Sequence, residues 1–148
     1  MKAIITDLDR TLLHTDKSVS EHTIAVLKRC HDHGILIMAA SARPIRDILI
    51  YNNLIGFDAI TATNGAVISL HQKLLEIGIS CESGEKILSA ILEYPDVFLS
   101  IETNKGLYSN RDIPIWEPVI WDKFPTLPED IILYKILASS QQKPLYEG

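Results

Sequence analysis

The apolar residues of this chain fall into short runs that end in polar residues. The first three runs, at residues 2–6, 35–39 and 59–62, are nearly uniformly apolar, as in parallel strands that are covered on both faces. Segments with the apolar spacing of amphipathic helices separate them, at about residues 18–34 and 44–52. This alternation of strands and helices predicts an α/β fold with a parallel sheet.

Two local signals predict where these elements begin and turn. Ser18 and Glu21 have the spacing of a capping box, so the first helix should begin at Ser18. Asn64-Gly65 is the strongest two-residue hairpin signal, and it predicts that the third strand turns back into strands at 67–69 and 74–77.

The second half of the chain has a mixed pattern. A helix is predicted from Ser83 or Gly84 to just before Pro95. Further expected elements are strands at 97–101, 107–109 and 131–137, an irregular loop at 113–128 in which Trp116 and Trp121 pack, and a polar tail or turn at 139–144. The pattern therefore changes near residue 79, from an α/β region of three parallel strands with helices at residues 1–78 to a mixed α+β region at residues 79–148.

Two carboxylates follow the first strand directly. Asp7 and Asp9 are spaced i, i+2, which places both on one face of an extended segment. Polar residues at the carboxyl ends of strands form the sites of open α/β sheets. Two adjacent carboxylates repel each other, and Mg²⁺ with its preference for oxygen ligands would relieve that repulsion. One carboxylate could then attack phosphorus while the other transfers a proton.

The stretch Asp7-Leu8-Asp9-Arg10-Thr11 resembles the first motif of the haloacid dehalogenase superfamily, Asp-x-Asp-x-Thr. The resemblance implies that Asp7 is the nucleophile and forms an aspartyl-phosphate, and that Asp9 is the general acid/base. It also implies that the Asp7 carboxylate and the Asp9 backbone carbonyl hold the metal, and that residues 10–17 form a flap. Arg10 stands where glycine is usual, so we expect an ordinary backbone conformation there, or an altered site.

Two further motifs follow in the order of that superfamily. Ser41-Ala42-Arg43-Pro44 is similar to the Thr-Gly-Arg-Pro of its Cof-like phosphatase subfamily, with Ala42 in place of glycine. Ser41 also precedes a predicted helix N-terminus, where phosphates bind readily. Asn64-Gly65-Ala66 is similar to the Asn-Gly-Ala of the same subfamily. The resemblance implies that the substrate phosphate is bound by Thr11, Ser41, Arg43, Asn64 and Gly65.

The resemblance extends over the whole chain but covers only the N-terminal portion of a Cof-like protein. It implies a partial Rossmann-like core at residues 1–78 and the first part of an α+β cap domain at residues 79–148. Such proteins carry a later lysine and a Gly-Asp type acidic motif, and this sequence contains no Gly-Asp pair. Lys123, Lys135 and Lys143 fall in the expected cap domain, so none matches the catalytic lysine. We therefore expect a fragment or truncated form of the hydrolase, inactive by itself.

The parent activity expected from this resemblance is Mg²⁺-dependent hydrolysis of a small phosphorylated metabolite. One alternative is a catalytically inactive module of the superfamily that acts only in phosphate or metal binding or in assembly. A phosphoacceptor like those of response regulators is another. The helix that follows Asp9 and the Asn64-Gly65-Ala66 motif argue against the phosphoacceptor.

Composition limits the partners and the compartment. The net charge of −5 gives no reason to expect a nucleic acid partner, and no apolar run approaches the length of a membrane span. Isolated Cys30 and Cys81 and the absence of a signal-peptide pattern suggest a cytoplasmic protein with reduced thiols. In the sheet of the resembled superfamily the first strand lies centrally, and the later strands that pair with its other side are absent here. The resemblance therefore implies an unpaired edge on the first strand, and we expect a homo-oligomer or association with the missing half.

Overall fold

The computed structural model describes residues 2–71 and 73–139. The chain forms two compact units, Met1–Ile77 and Gly78–Gly148. Residue 72, between the strands predicted at 67–69 and 74–77, and residues 140–144 of the predicted polar tail lie outside the described residues.

The first unit is a five-stranded sheet with two helices. Its elements are β1 (Lys2–Thr6), α1 (Glu21–Asp32), β2 (Ile35–Ala40), α2 (Ile45–Ile55), β3 (Ala59–Ala62), β4 (Val67–Leu70) and β5 (Lys73–Glu76). The strand order is β1-β2-β3-β4-β5, with β1, β2 and β3 parallel and β4 and β5 antiparallel to their neighbours. The predicted α/β fold with three parallel strands is confirmed.

Both helices contribute to one apolar core on the sheet. Leu27 of α1, Ile37 of β2 and Ile55 of α2 are buried together, and Ile4 and Ile24 pack against them. Side chains alternate between the two faces of a strand, so Ile4 and Ile37 define the face that the helices cover. Removal of these apolar side chains from water is the main favourable term that holds the helices on the sheet.

The opposite face of the sheet carries exposed apolar side chains. Ile5, Met38, Ala59 and Leu70 are consecutive partners across β1, β2, β3 and β4, so they share this face. Ile5 is 67% exposed and Leu70 is 47% exposed. In the described part of the chain β1 pairs with β2 alone, which leaves its outer edge without a strand partner as the sequence predicted.

The first helix begins two residues later than predicted. Ser20 is the N-cap residue, and its Oγ accepts a hydrogen bond of 3.0 Å from the Thr23 backbone N–H. The Ser18 hydroxyl instead donates to the Asp16 carboxylate over 2.6 Å, and the Ser18 backbone N–H donates to the same oxygen. These two bonds lower the pKa of Asp16. The predicted capping box from Ser18 to Glu21 is therefore wrong.

The second unit packs one helix on a four-stranded sheet. Its elements are α3 (Cys81–Leu92), β6 (Phe98–Thr103), β7 (Gly106–Ser109), β8 (Val119–Ile120) and β9 (Leu133–Ser139), with strand order β8-β7-β6-β9. Ser80 caps α3, so the predicted start at Ser83 or Gly84 is wrong. Gly84 lies inside the helix, where an added Cβ would be 2.6 Å from Leu133 Cδ2, so the helix approaches β9 closely at this residue.

The loop at 113–128 is less irregular than predicted, because β8 lies within it and pairs in parallel with β7. Trp121 packs edge-on against Tyr108, with ring centroids 5.9 Å apart, and its Nε1 donates to the Thr126 carbonyl over 2.8 Å. Trp116 is 58% exposed. Packing was therefore predicted correctly for Trp121 and wrongly for Trp116.

Two further observations concern the thiols and the membrane. Cys30 and Cys81 are both free. No helix in the described ranges has both the length and the apolar character that crossing a bilayer requires.

Candidate active site

The loops that follow the three parallel strands meet at the carboxyl ends of these strands. Asp7 follows β1, Ser41 follows β2 and Thr63 follows β3. The Ser41 backbone N–H donates to the Thr61 carbonyl over 2.9 Å, and the Asn64 N–H donates to the Ser41 carbonyl over 3.3 Å. These hydrogen bonds hold the second and third loops side by side.

The third loop has an uncommon backbone. Thr63, Asn64 and Gly65 have φ values of 51°, 57° and 97°, a left-handed region that suits asparagine and glycine better than threonine. The Thr63 N–H donates to the Arg43 carbonyl over 2.8 Å, a second tie to the preceding loop. Ala62 pairs with Val67, so four residues connect the strands. The chain reversal at Asn64-Gly65 was predicted correctly. The prediction of a two-residue turn was wrong, because the connection has four residues.

Ser41 is buried at the end of β2, in contrast to the exposed residues of the first loop. Its Oγ accepts a hydrogen bond of 3.2 Å from the Arg43 backbone N–H, in the turn that leads into α2. The hydroxyl is therefore held next to the start of α2 by its own loop. Asp7 and Thr11 are solvent-exposed.

The turn after Asp7 is anchored by Leu8. Leu8 is fully buried, and its carbonyl accepts hydrogen bonds from the Thr11, Leu12 and Leu13 backbone N–H groups over 3.3, 3.1 and 2.8 Å. A buried leucine between two aspartates thus directs the chain into the flap while both acidic residues remain near the surface.

Asp9 is held between two cations. Arg43 donates from Nε to one carboxylate oxygen and from Nη2 to the other, both over 2.7 Å. Lys17 Nζ donates to the second of these oxygens over 2.7 Å. A bidentate arginine pair is among the stronger charge-assisted contacts in proteins. The Arg43 and Lys17 hydrogen bonds hold the pKa of Asp9 well below its usual range, and the Asp9 carboxylate raises the pKa of Arg43.

The sequence profile of the haloacid dehalogenase-like hydrolases matches residues 4–143 of this chain. The chain belongs to this family. It is 25% identical over 112 residues to the 5-amino-6-(5-phospho-D-ribitylamino)uracil phosphatase YwtE of Bacillus subtilis, an alignment that covers 76% of this chain and 39% of that phosphatase. The predicted resemblance to the superfamily is confirmed.

Solved structures of other proteins share the fold. The phosphatase BT1666 of Bacteroides thetaiotaomicron superposes with a TM-score of 0.68 at 28% identity, over 81% of this chain and 49% of that one. A protein of Geobacillus kaustophilus superposes with a TM-score of 0.76 at 19% identity, over 93% of this chain and 57% of that protein. This hydrolase-family chain therefore spans between two fifths and three fifths of these relatives.

The oxygen donors at this edge suit a hard cation but do not complete its shell. Asp7 offers an exposed carboxylate, whereas the Asp9 carboxylate is already engaged by Arg43 and Lys17. No group of three histidine, cysteine, aspartate or glutamate side chains capable of holding a metal occurs in the part of the chain that the structure describes. Mg²⁺ commonly takes one or two carboxylates and keeps several waters, so the exposed Asp7 carboxylate together with the Asp9 backbone carbonyl would suit part of such a shell.

Sequence reasoning did not include Lys17, Thr63 or Tyr51 among the residues of the site. Lys17 ends the flap, and its only sequence signal is that a basic residue follows Asp9 by eight positions. Tyr51 lies in α2 with no motif around it. Arg43 was predicted to bind phosphate, and the structure places its guanidinium on Asp9.

Arg10 does not have the ordinary backbone conformation that the sequence predicted. Its φ is 60°, in the left-handed region where the family's usual glycine costs little. The prediction of an ordinary conformation is wrong because Arg10 lies in the turn anchored on Leu8, where the chain is left-handed and arginine is strained.

Replacing Arg10 by glycine should therefore raise the free energy of unfolding by up to about 1 kcal/mol. A left-handed conformation costs a residue with a Cβ roughly 1–2 kcal/mol, and the greater freedom of glycine in the unfolded chain offsets about half of that. Urea unfolding followed by NMR signals of the first unit measures the change. As a control, Lys28→Gly inside α1 should lower the free energy by about 1 kcal/mol. A loss of stability in Arg10→Gly would contradict the strain argument.

Proposed function

We propose that this chain carries the nucleophile end of a phosphatase that hydrolyses a small phosphate monoester through an aspartyl-phosphate. Asp7 attacks phosphorus with one carboxylate oxygen, and the bond from phosphorus to the leaving oxygen breaks. Water then attacks the aspartyl-phosphate and regenerates Asp7. The observation that carries the proposal is the hydrogen-bonded junction of the three strand-end loops, through Ser41, Asn64 and Arg43.

In this proposal the second and third loops bind the phosphate. The Ser41 hydroxyl lies before the N-terminus of α2, where backbone N–H groups and the helix dipole favour an anion. Asn64 and Gly65 present a left-handed backbone segment at the same edge, and Thr11 lies in the first loop. Arg43 supplies the planar, bidentate donor pattern that suits phosphate as well as carboxylate.

Asp9 is the proposed general acid/base. In the arrangement with Arg43 and Lys17 it is a carboxylate, so it can accept a proton from the attacking water. Protonation of the leaving oxygen requires a proton on Asp9, and the two cations oppose that. Either cation would therefore have to change partner, for example to the phosphate, before Asp9 donates a proton.

Mg²⁺ is the proposed cofactor, held by Asp7 and Asp9 with waters, and when bound it would offset the negative charge of the phosphate and of Asp7. The first unit would be the core portion, with predicted bounds 1–78, and the second, over 79–148, part of a cap domain. The curated relative is a phosphatase of a phosphorylated ribityl compound, which supports a small phosphorylated metabolite as the substrate class. We place the protein in the cytoplasm, in line with its free thiols.

Titrations of the chain with Mg²⁺ and then inorganic phosphate, followed by amide NMR, test the proposal. We expect shift changes to concentrate at Asp7, Ser41 and Asn64, and Asp7→Asn to weaken the Mg²⁺ effect at least about tenfold. Asp112→Asn, an exposed aspartate of the second unit, should change nothing. Shift changes confined to other acidic residues, or an unaltered titration in Asp7→Asn, would overturn the proposal.

We also propose that the first unit associates through its sheet. The outer edge of β1 has no strand partner among the described residues, and Ile5 of β1, Leu70 of β4 and Leu75 of β5 expose apolar surface on one face of the same sheet. Unprotected edges and apolar faces both favour association. We expect a homo-oligomer, or association with the remaining half of a family member. Light scattering of a stable monomer at micromolar concentration, with fast amide exchange throughout β1, would reject this.

A further inference from the structure

Tyr51 connects the two cations that hold Asp9. It lies in α2, its side chain is nearly buried, and its hydroxyl donates to the Lys17 carbonyl over 3.2 Å. The guanidinium carbon of Arg43 lies 5.7 Å from the centre of its ring. A buried tyrosine can supply both contacts, because its ring packs against a cation while its hydroxyl reaches a polar partner. One side chain of α2 therefore contacts both the end of the flap and the loop after β2.

These contacts close a ring of four residues. Tyr51 contacts Lys17 and Arg43, and both of those side chains bind the Asp9 carboxylate. The four residues come from four segments: the loop after β1, the flap, the loop after β2, and α2. In such a network each contact limits the freedom of the next.

The flap end needs support of this kind. Lys17 has a φ of 67°, a left-handed conformation that costs a residue with a Cβ free energy and persists where surrounding contacts hold it. Within the flap, the Lys17 N–H donates to the His14 carbonyl over 3.0 Å, and the His14 N–H donates to the Ser18 carbonyl over 2.9 Å. The Tyr51 hydroxyl joins this small turn to the helix.

We propose that Tyr51 is a positioning residue that couples α2 to the flap, so that Lys17 and Arg43 reach Asp9 together. Its hydroxyl holds the backbone of Lys17, and its ring holds the plane of Arg43. The catalytic meaning of the coupling rests on the proposed function, because that assigns Asp9 its role. The coupling itself requires neither metal nor phosphate.

Tyr51→Phe tests the hydroxyl, since it keeps the ring and removes only the bond to the Lys17 carbonyl. Loss of one such bond should make the His14 and Lys17 amide protons exchange roughly three- to tenfold faster. The Ile37 amide, which donates to Asp58 at the other end of β2, should keep its exchange rate. Tyr94→Phe is the matched control, because Tyr94 is an exposed tyrosine of the second unit. Unchanged exchange of the flap amides in Tyr51→Phe would overturn the proposal.

Tyr51→Leu tests the ring. The Nε–H resonance of Arg43, slowed in exchange by its bond to Asp9, should remain in Tyr51→Phe and be lost or strongly shifted in Tyr51→Leu. An unaltered Arg43 resonance in Tyr51→Leu would overturn the proposed role of the ring. If Tyr51→Leu does not fold, the exchange rates in Tyr51→Phe alone decide whether Tyr51 couples α2 to the flap, since that variant keeps the ring and removes only the hydroxyl. Both measurements are made without metal or phosphate, so failure of the phosphate titration would reject the proposed function and leave this inference standing.

Discussion

Assayed by itself with Mg²⁺ and a small phosphate ester, the 148-residue chain should hydrolyse the ester at least about 10²-fold more slowly than the Bacillus subtilis relative. The family resemblance implies a later lysine and a Gly-Asp acidic motif, and the sequence contains no Gly-Asp pair. Electrostatic stabilisation is usually the largest catalytic contribution, and loss of one group commonly costs about 10²–10³ in rate.

By sequence position, neither Lys123 nor Lys135 matches the catalytic lysine that the resemblance implies. Lys123 lies over the Trp121 ring, 5.4 Å from its centre, and Lys135 lies on β9. Both belong to the second unit.

The Asp7→Asn variant of the same chain is the control for the turnover assay. We expect it to hydrolyse the ester at the same low background rate as the unmodified chain. Robust turnover by the unmodified chain that Asp7→Asn abolishes would show the prediction to be wrong, and would mean that these residues suffice for catalysis. The metal and phosphate titrations remain informative in either case because they measure binding.

Replacing Ile101 by alanine should lower the free energy of unfolding of the second unit by about 2–5 kcal/mol. Ile101 lies on β6, is fully buried and packs in a core with Leu88, Leu99 and Leu133. Deleting its methyl and methylene groups removes apolar burial and leaves a cavity that a close-packed core fills only partly.

Tryptophan fluorescence during urea unfolding measures this change, because both tryptophans, Trp116 and Trp121, lie in the second unit. Ile115→Ala is the matched control: Ile115 is 89% exposed, so its truncation should change stability by less than about 0.5 kcal/mol. Equal effects of the two substitutions would contradict the assignment of the core to Ile101.

The parallel strands of the first unit were predictable from their nearly uniform apolar runs, although the expected cover on both faces is wrong for the described structure, where Ile5 of β1 is 67% exposed. The apolar run predicted at 59–62 coincides with β3, and that at 2–6 with β1. Exposed segments carry a weaker signal. The two-residue strand β8, with both residues exposed, follows from its pairing with β7 and could not be recognised from its own sequence.

The starts of the helices were less predictable because more than one serine near each start could be the N-cap residue. Ser18 and Ser20 both precede α1, and Ser80 and Ser83 both lie near the start of α3. The residue that caps is the one whose backbone is extended when the chain enters the helix, and Ser20 and Ser80 meet that condition. Tertiary structure sets that direction, so spacing alone could not choose.

The strand-end positions of Asp7, Ser41 and Asn64 followed from chain order, because parallel strands share one edge. The hydrogen bonds that Arg43 and Lys17 donate to Asp9 could not be predicted from chain order. Arg43 lies 34 residues after Asp9, and Tyr51 lies 34 residues after Lys17. No local period relates such residues, and only the packing of α2 beside the flap brings them together. Contacts that long side chains make across the fold therefore could not be predicted from local motifs.

The strand order of the first sheet has a consequence for how the protein is made. Each of β2 to β5 pairs with the strand just before it in the sequence, so no pairing in this sheet waits for a later strand. Such a sheet can grow strand by strand as the chain emerges from the ribosome, since local pairings form early and quickly. The second sheet differs, because β6 also pairs with β9, and the strands β7 and β8 are synthesised between these two partners. The first unit can thus be folded while the second is still being translated.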